Sequence, residues 1–262
     1  MPSTSARRIL VTGGSGFIGS NMFRTLLGDS AVMMHNLDHV GPEDATLQSI
    51  WEQCNVLDRE RVMQAFEAFG PTDVIHLAAR VDIEGSSAAD YPENSDGTTT
   101  VIDAATATGV DRLIVASTQF VCQPGHLPSA DDDYSPHTAY GESKIEAERR
   151  TRSSGFPGVW TIIRPTTIWG PGDLRYRAQF YKVMSRGLYL HPSGPPAMRS
   201  FGYVGNVVDQ IRQILTAEPR LVHGRTLYVG DPVGPITDFV EEFAAQFGRP
   251  VRTVPRALIR GL

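Results

Sequence analysis

The chain is predicted to fold as a doubly wound α/β domain, a parallel sheet covered on both faces, with a second, smaller lobe toward its C-terminal end. Short apolar runs alternate with helix-period segments as far as residue 165. The first run ends in closely spaced glycines that open a helix. A chain of 262 residues, 41% hydrophobic and 20% charged, is long enough to bury a sizeable core without disulfides or metal.

Taken in order, Ile9-Leu10-Val11-Thr12 is a strand that turns at glycines into a helix with Phe17, Ile18, Met22, Phe23, Leu26 and Leu27 on one face. Gly28-Asp29 stops that helix. A strand over 31–34 follows, then a helix carrying Val62, Phe66 and Phe69, a strand over 74–77, a helix around Val101 to Ala105 and a strand over 113–116. A helix from about Ser143 to Arg152 precedes a strand over 160–163 that ends at Arg164-Pro165. Strands that alternate with helices imply right-handed crossovers and a parallel sheet. Beyond Pro165 the texture changes: Gly170-Pro171-Gly172, a Pro-rich stretch from His191 to Pro196, helices marked by Val207, Val208, Ile211 and Ile214 and by Phe239, Val240, Phe243 and Phe247, and one short strand over 227–229. The expected division is therefore 1–165 and 166–262.

Charge and cysteine usage narrow the partners. With 24 Lys and Arg against 29 Asp and Glu, the net charge is −5 and no long basic run occurs, so neither nucleic acid nor an anionic membrane is an expected partner. Cys54 and Cys122 fit neither a disulfide framework nor a zinc site, and no metal site is expected. The apolar run after Arg7-Arg8 is too short for a signal peptide, and no run approaches the ~18 residues of a membrane span. A cytoplasmic protein is expected.

Three groups of residues carry chemistry. In Thr12-Gly13-Gly14-Ser15-Gly16-Phe17-Ile18-Gly19 the glycines follow a G-x-x-G-x-x-G spacing where a strand becomes a helix, which allows a sharp turn, close approach to a pyrophosphate and tight helix packing. A purely structural turn would use the same residues. Asp38 ends the second strand 19 residues after Gly19, where a carboxylate can accept from adenosine ribose hydroxyls and would repel a 2′-phosphate, favouring NAD over NADP. A solvated turn aspartate is the other reading. Tyr140 and Lys144 stand four apart, one helical turn on the same face, so the ammonium can favour the phenolate and make a general base. Ser117-Thr118 closes the strand over 113–116, where a hydroxyl can either hydrogen-bond a reacting oxygen or merely cap the strand.

Together these residues resemble the extended short-chain dehydrogenase/reductase superfamily, in its NAD-dependent epimerase/dehydratase branch acting on nucleotide sugars. The resemblance runs from about Arg8 to about Pro255 and takes in Val74-Ile75-His76-Leu77-Ala78-Ala79, Asn94 with Gly97-Thr98, Ala116 to Val121, Arg164-Pro165 with Trp169 to Gly172, and Arg199 to Val204. It implies a Rossmann-like doubly wound parallel sheet with a C-terminal substrate lobe, interleaved with the first, and NAD as cofactor. It further implies that Thr118, Tyr140 and Lys144 form the catalytic set, that Thr118 and Arg199 touch substrate, and that Asn94 supports the site. Cofactor contacts would come from Gly13, Gly16, Phe17, Ile18, Gly19, Asp38, Leu77, Ala78, Ala79, Tyr140 and Lys144, with Asn55 and Val56 falling where the family reads the adenine edge with an aspartate.

The implied activity is epimerisation through a transient keto-sugar, by a homodimer on a small-molecule substrate. A 4,6-dehydratase is disfavoured, because the acid and base that follow the catalytic threonine in such enzymes are replaced here by Gln119 and Phe120. Arg199 would bind a diphosphate bidentately, or else form a surface salt bridge; Arg175 and Arg177 are further candidates. Two other readings stand beside the epimerase: a hydroxysteroid-type NAD-dependent dehydrogenase, and a non-catalytic NAD-sensing protein, against which the joint presence of Thr118, Tyr140 and Lys144 counts. Relatives commonly continue through further C-terminal helices past the point where this sequence stops, which fits either a compact member or an incomplete sequence.

Overall fold

The computed structural model describes residues 6–173 and 180–259. Its centre is a seven-stranded sheet formed by β1 (Arg7–Thr12), β2 (Val32–Asp38), β3 (Trp51–Gln53), β4 (Asp73–His76), β5 (Arg112–Ala116), β6 (Val159–Pro165) and a late strand, Arg225–Val229. Every pairing in it is parallel, and the spatial order is the late strand, then β6, β5, β4, β1, β2, β3. The order reverses between β4 and β1, and at such a switch point loops diverge and leave a crevice at the carboxyl ends of the strands.

Apolar residues on both sheet faces explain why helices cover both. One face packs α1 (Phe17–Leu26), through Met22, Phe23 and Leu26, into a cluster with Ile9, Val11, Ile75 and Ile114. The other receives α2 (Arg59–Phe69), through Val62 and Phe66, and α3 (Pro92–Ala107), through Val101, Ala104 and Ala105, against Leu10, Val74, Leu113 and Val115.

Three features differ from the sequence reading. One is β3, an unexpected edge strand beside β2, whose Trp51-Glu52-Gln53 offers no apolar run. The helix expected from Ser143 is α4 (Ala139–Ser153), which begins four residues earlier because the Thr138 hydroxyl accepts from the Gly141 amide at 3.0 Å and caps it. Tyr140 therefore lies inside the helix. The strand expected in the second lobe is the late strand of the main sheet, in register with Thr161 to Pro165 of β6.

Between these, after the two short segments β7 (Thr167–Trp169) and α5 (Lys182–Ser185), come β8 (Leu190–Pro192), β9 (Met198–Arg199) and β10 (Phe201–Tyr203). Next is α6 (Val204–Thr216), whose Val207, Val208, Ile211 and Ile214 join the α1 side of the core. Arg7 and Arg112 reach from the N-terminal ends of β1 and β5 to the carbonyls of Leu215, Ile214 and Ala217, capping the end of α6. Residue 165 is thus no spatial boundary. After α7 (Pro219–Val222) and the late strand, β11, the chain returns through β12 (Gly234–Pro235) to α8 (Ile236–Gln246), β13 (Arg252–Val254) and α9 (Arg256–Ile259). The lobe has its own small core of Met184, Val240 and Ala244 ringed by Phe180, Phe239 and Phe243, with β13 pairing β8.

Candidate active site

The glycine loop joins β1 to α1 at the switch point. Gly13 holds φ +72°, and a Cβ there would stand 2.5 Å from the Ala78 amide nitrogen. Only glycine lets the loop run so close to Leu77-Ala78 at the end of β4. A Cβ on Gly19 would meet Gly14 at 2.5 Å, so the first turn of α1 is pressed onto the loop. Gly16 is the N-cap and offers no side-chain acceptor, which leaves the amides of the first turn, Phe17 and Ile18 among them, facing outward from the helix end. Asp38 is 7% exposed; its Oδ2 accepts from the Ser15 amide at 3.0 Å and its Oδ1 from the Val40 amide at 3.1 Å. The carboxylate is thereby fixed beside the loop with lone pairs to spare. Asn55 Oδ1 accepts from the Leu57 amide, and the Val56 side chain is buried against Gly97 of α3. Val56 has only its main chain left for a ligand.

The second half of the site is built on the end of β5 and on α4. A Cβ on Gly141 would lie 2.4 Å from the Phe120 carbonyl oxygen, so this glycine permits α4 to rest on the turn that carries Thr118. Thr118, 6% exposed, accepts from the Phe120 amide at 3.2 Å and keeps its own proton to donate. Tyr140, 8% exposed, packs between the rings of Tyr91 (6.1 Å) and Phe120 (6.3 Å). One turn on, Lys144 is 1% exposed, and burial pulls its ammonium down to about 8 against an opposing pull from Glu148. Among the described residues the Lys144 side chain has neither a hydrogen bond nor an ion pair. Asn94 ties α3 to α4: its Nδ2 donates to Ser143 Oγ at 2.8 Å, and Ser143 Oγ donates to the Tyr140 carbonyl at 2.7 Å.

This pairing of a Gly-cradled crevice with a tyrosine and lysine on one helix face invites comparison with known proteins, and the sequence profile of the NAD dependent epimerase/dehydratase family matches residues 9–230. The chain belongs to that family. As in the family, the cofactor is NAD. A 3 beta-hydroxysteroid dehydrogenase/Delta 5-->4-isomerase of Mycobacterium tuberculosis is 28% identical over 95% of this chain and 70% of its own length. A UDP-glucose 4-epimerase of Vibrio cholerae is 31% identical over 78% of this chain, which spans only 65% of that enzyme. Among solved structures, the Bordetella bronchiseptica enzyme WbmG in complex with NAD superposes with a TM-score of 0.78 at 26% identity, covering 97% of this chain and 83% of that one. The Thermus thermophilus UDP-glucose 4-epimerase, at 24% identity and a TM-score of 0.75, shares the fold over 95% of this chain and 86% of its own.

For an NAD-dependent family member the residues present fit the cofactor. The cradle at Gly13 and Gly19 would be filled by any Cβ, and the Lys144 ammonium, which has no acceptor among the described residues, can donate to oxygen acceptors such as ribose hydroxyls. Arg199 is exposed on β9 and makes no ion pair among the described residues, so the salt-bridge reading has no partner there. Arg175 and Arg177 lie outside the described residues. Among the described residues no group of three or more His, Cys, Asp or Glu could hold a metal, and no helix is long and apolar enough to cross a membrane.

Sequence reasoning missed the supports. Glu148, one further turn along α4, accepts from Ser117 Oγ (2.6 Å), Tyr134 Oη (2.9 Å) and both arms of Arg164 (2.8 Å each). It also missed His76, whose Nδ1 meets Thr12 Oγ1 at 2.7 Å and whose Nε2 meets Thr98 Oγ1 at 3.0 Å; burial, with Lys144 nearby, pushes it down to about 3, so the ring is neutral. The four-residue step from Lys144 to Glu148 was a readable signal. For Tyr91, wedged against Tyr140, no signal existed.

Proposed function

We propose that the protein is a nucleotide-sugar epimerase that works through a transient keto-sugar. The observation that carries this reading is the buried Lys144, whose ammonium has no hydrogen bond or ion pair among the described residues, one helical turn from Tyr140 on the helix that Gly141 seats against the Thr118 turn. The positive charge favours the phenolate of Tyr140, which takes the proton from a sugar hydroxyl. Thr118 Oγ1 donates to the same oxygen and orients it. NAD, when bound, supplies a hydride acceptor that can return the hydride to either face of the ketone. Tyr140 then gives the proton back to the alkoxide. Lys144, Asp38 and the first-turn amides of α1 would hold the cofactor, and Arg199 the substrate diphosphate.

Elimination of water is disfavoured. Gln119 donates its amide to Thr167 Oγ1 at 2.9 Å, and Phe120 turns an edge to Tyr140, so neither can exchange a proton at neutral pH. The same reading includes a homodimer in the cytoplasm. Two observations favour a second reading, a hydroxysteroid-type dehydrogenase: the apolar Phe120 ring stands beside Tyr140, and the Mycobacterium relative aligns over 95% of the chain.

Thermal shift separates them. Saturating NAD raises the melting temperature through Asp38 and the glycine loop, and a nucleoside diphosphate raises it further if Arg199 serves a working site. No response to UDP, GDP, dTDP, CDP or ADP in the presence of NAD argues for the steroid-type reading. Mass spectrometry of small molecules released on denaturation identifies a retained nucleotide sugar directly.

A further inference from the structure

The net charge of −5 conceals a polar asymmetry. Within residues 180–208 and 243–259 there are six Lys or Arg and no Asp or Glu. Five of them, Lys182, Arg186, Arg249, Arg252 and Arg256, are exposed, and the pairing of β13 with β8 lays the segment carrying the last three beside the segment that follows Lys182 and Arg186. Arg249 Nε donates to the Ser185 carbonyl at 3.3 Å, and Arg256 donates to the carbonyls of Ser193 (3.0 Å) and Pro195 (3.1 Å). None of the five forms an ion pair among the described residues, and Glu241 and Glu242 on the neighbouring α8 do not reach them. In the sheet-bearing part, by contrast, Arg24, Arg59, Arg80 and Arg150 each meet a carboxylate within 3.2 Å.

Apolar side chains are interleaved with these cations. Leu188 is 64% exposed, Phe247 41% and Leu190 39%, and Leu190 stands in register beside Arg252. Uncompensated guanidinium groups alternating with exposed aliphatic and aromatic groups match the interfacial layer of a bilayer, where cations meet lipid phosphates and apolar groups enter the acyl boundary. A nucleic acid would be served by the cations and would leave the leucines in water.

We propose that this face, built from the 182–190 segment and the 247–256 segment, docks the protein reversibly on an anionic lipid surface. The proposal is independent of which sugar or steroid the active site takes. Charge complementarity decides the occupant: the rest of the molecule is acidic, so the patch is the side that turns toward a negative surface while the remainder is repelled.

Co-sedimentation of the full chain with phosphatidylglycerol-containing vesicles, against pure phosphatidylcholine vesicles, tests it. Binding to the anionic vesicles is expected at low salt and is lost as salt rises. Arg186→Gln with Arg252→Gln removes two cations that make no backbone contact, and weakens vesicle binding by roughly twenty-five-fold, about fivefold for each cation, with the melting temperature unchanged. Leu188→Ser lowers binding without altering its salt dependence. Equal sedimentation with both vesicles, or with neither at low salt, overturns the proposal. So does tighter retention on single-stranded RNA than on the anionic vesicles, or burial of the patch in a self-associated form that ignores lipid. Should the double variant fail to fold, the wild-type salt profile on the two kinds of vesicle still decides between these outcomes.

Discussion

Two buried cations stand beside α4, and they are treated in opposite ways. Arg164 and Lys144 are each 1% exposed. Around Arg164, burial opposes the charge but is outweighed by the two hydrogen bonds and the negative charge of Glu148, so its guanidinium is held above the ordinary range and Glu148 below it. Tyr134 and Ser117 satisfy the remaining carboxylate lone pairs. Around Lys144, burial wins over the pull of Glu148, and the ammonium, without a hydrogen bond or ion pair among the described residues, is drawn down to about 8. The difference is one of purpose: the first cation is spent on holding β6, α4 and the Thr118 strand end together, and the second is kept in reserve for a ligand and for Tyr140.

The contrast can be broken most severely at the reacting groups. Tyr140→Phe removes one oxygen and no core volume, and turnover of a confirmed substrate is expected to fall by ~10²–10⁴-fold while NAD titration is unchanged. Lys144→Ala lowers turnover and weakens NAD binding together. Near-intact turnover by Tyr140→Phe would remove the base assigned here.

Next in size are the stability effects, which should have opposite signs. Arg164→Met takes both close charged hydrogen bonds from buried Glu148, leaving Arg152 at 3.5 Å as its cationic partner, and is expected to cost about 3–5 kcal/mol in denaturant unfolding. Lys144→Met removes a charge that burial disfavours; the fall from 10.5 to about 8 corresponds to roughly 3 kcal/mol, gained at neutral pH in the absence of cofactor. If both substitutions destabilise equally, the contrast is wrong.

The pH profile sharpens it further. Because Lys144 is lowered, the unfolded chain binds the extra proton between about 8 and 10.5, so this group's contribution makes stability rise with pH across that window. Activity moves the other way: kcat/KM declines above about 8 as the ammonium that favours the phenolate is lost. His76 adds an acid limb, since its neutral buried ring at about 3 must be protonated on unfolding, and stability falls as pH drops from 6.5 toward 3. Calorimetry across pH, with and without NAD, measures both stability limbs, and initial rates over the same range measure the third.

The smallest effects come from glycines. Gly141→Ala places a methyl on the Phe120 carbonyl and is expected to cost about 1–3 kcal/mol and to reduce turnover, whereas Gly28→Ala, with nothing within 4 Å, changes stability by at most about 0.5 kcal/mol.

Much of this was legible before the structure. β1, β2, β4, β5 and β6 were readable because each contains a short apolar run between turn residues, whereas the edge strand β3, Trp51-Glu52-Gln53, has no such run and was missed; Tyr140 and Lys144 share a face by helical spacing alone. The start of α4 was misjudged because Pro136-His137-Thr138 carries the cap three residues before the first glycine, with no apolar periodicity to mark it. The late strand was assigned to the wrong lobe because a parallel partner some sixty residues away leaves no trace in local pattern. The same blindness hid Glu148 with Arg164 and Asn94 with Ser143, whose partners are separated by 16 and 49 positions. A whole-chain charge sum also does not show where cations cluster: those around β8 and β13 form no ion pair among the described residues.

The late strand has a consequence for how the molecule is made. Ile162 and Ile163 of β6 are fully buried, and part of their cover is contributed by α6 and the late strand, which leave the ribosome some forty to sixty residues afterwards. A nascent chain that has just completed the Tyr140 helix therefore holds its glycine loop but exposes an open, apolar sheet edge, a surface that pairs readily with other strands. Closing that edge must wait for the late strand, which follows α6, the helix whose end Arg7 and Arg112 cap across more than a hundred residues. Synthesis thus passes through an interval in which the crevice for the nucleotide can exist before the domain that stabilises it is whole, and a dinucleotide captured in that interval would act as a folding ligand as well as a redox partner.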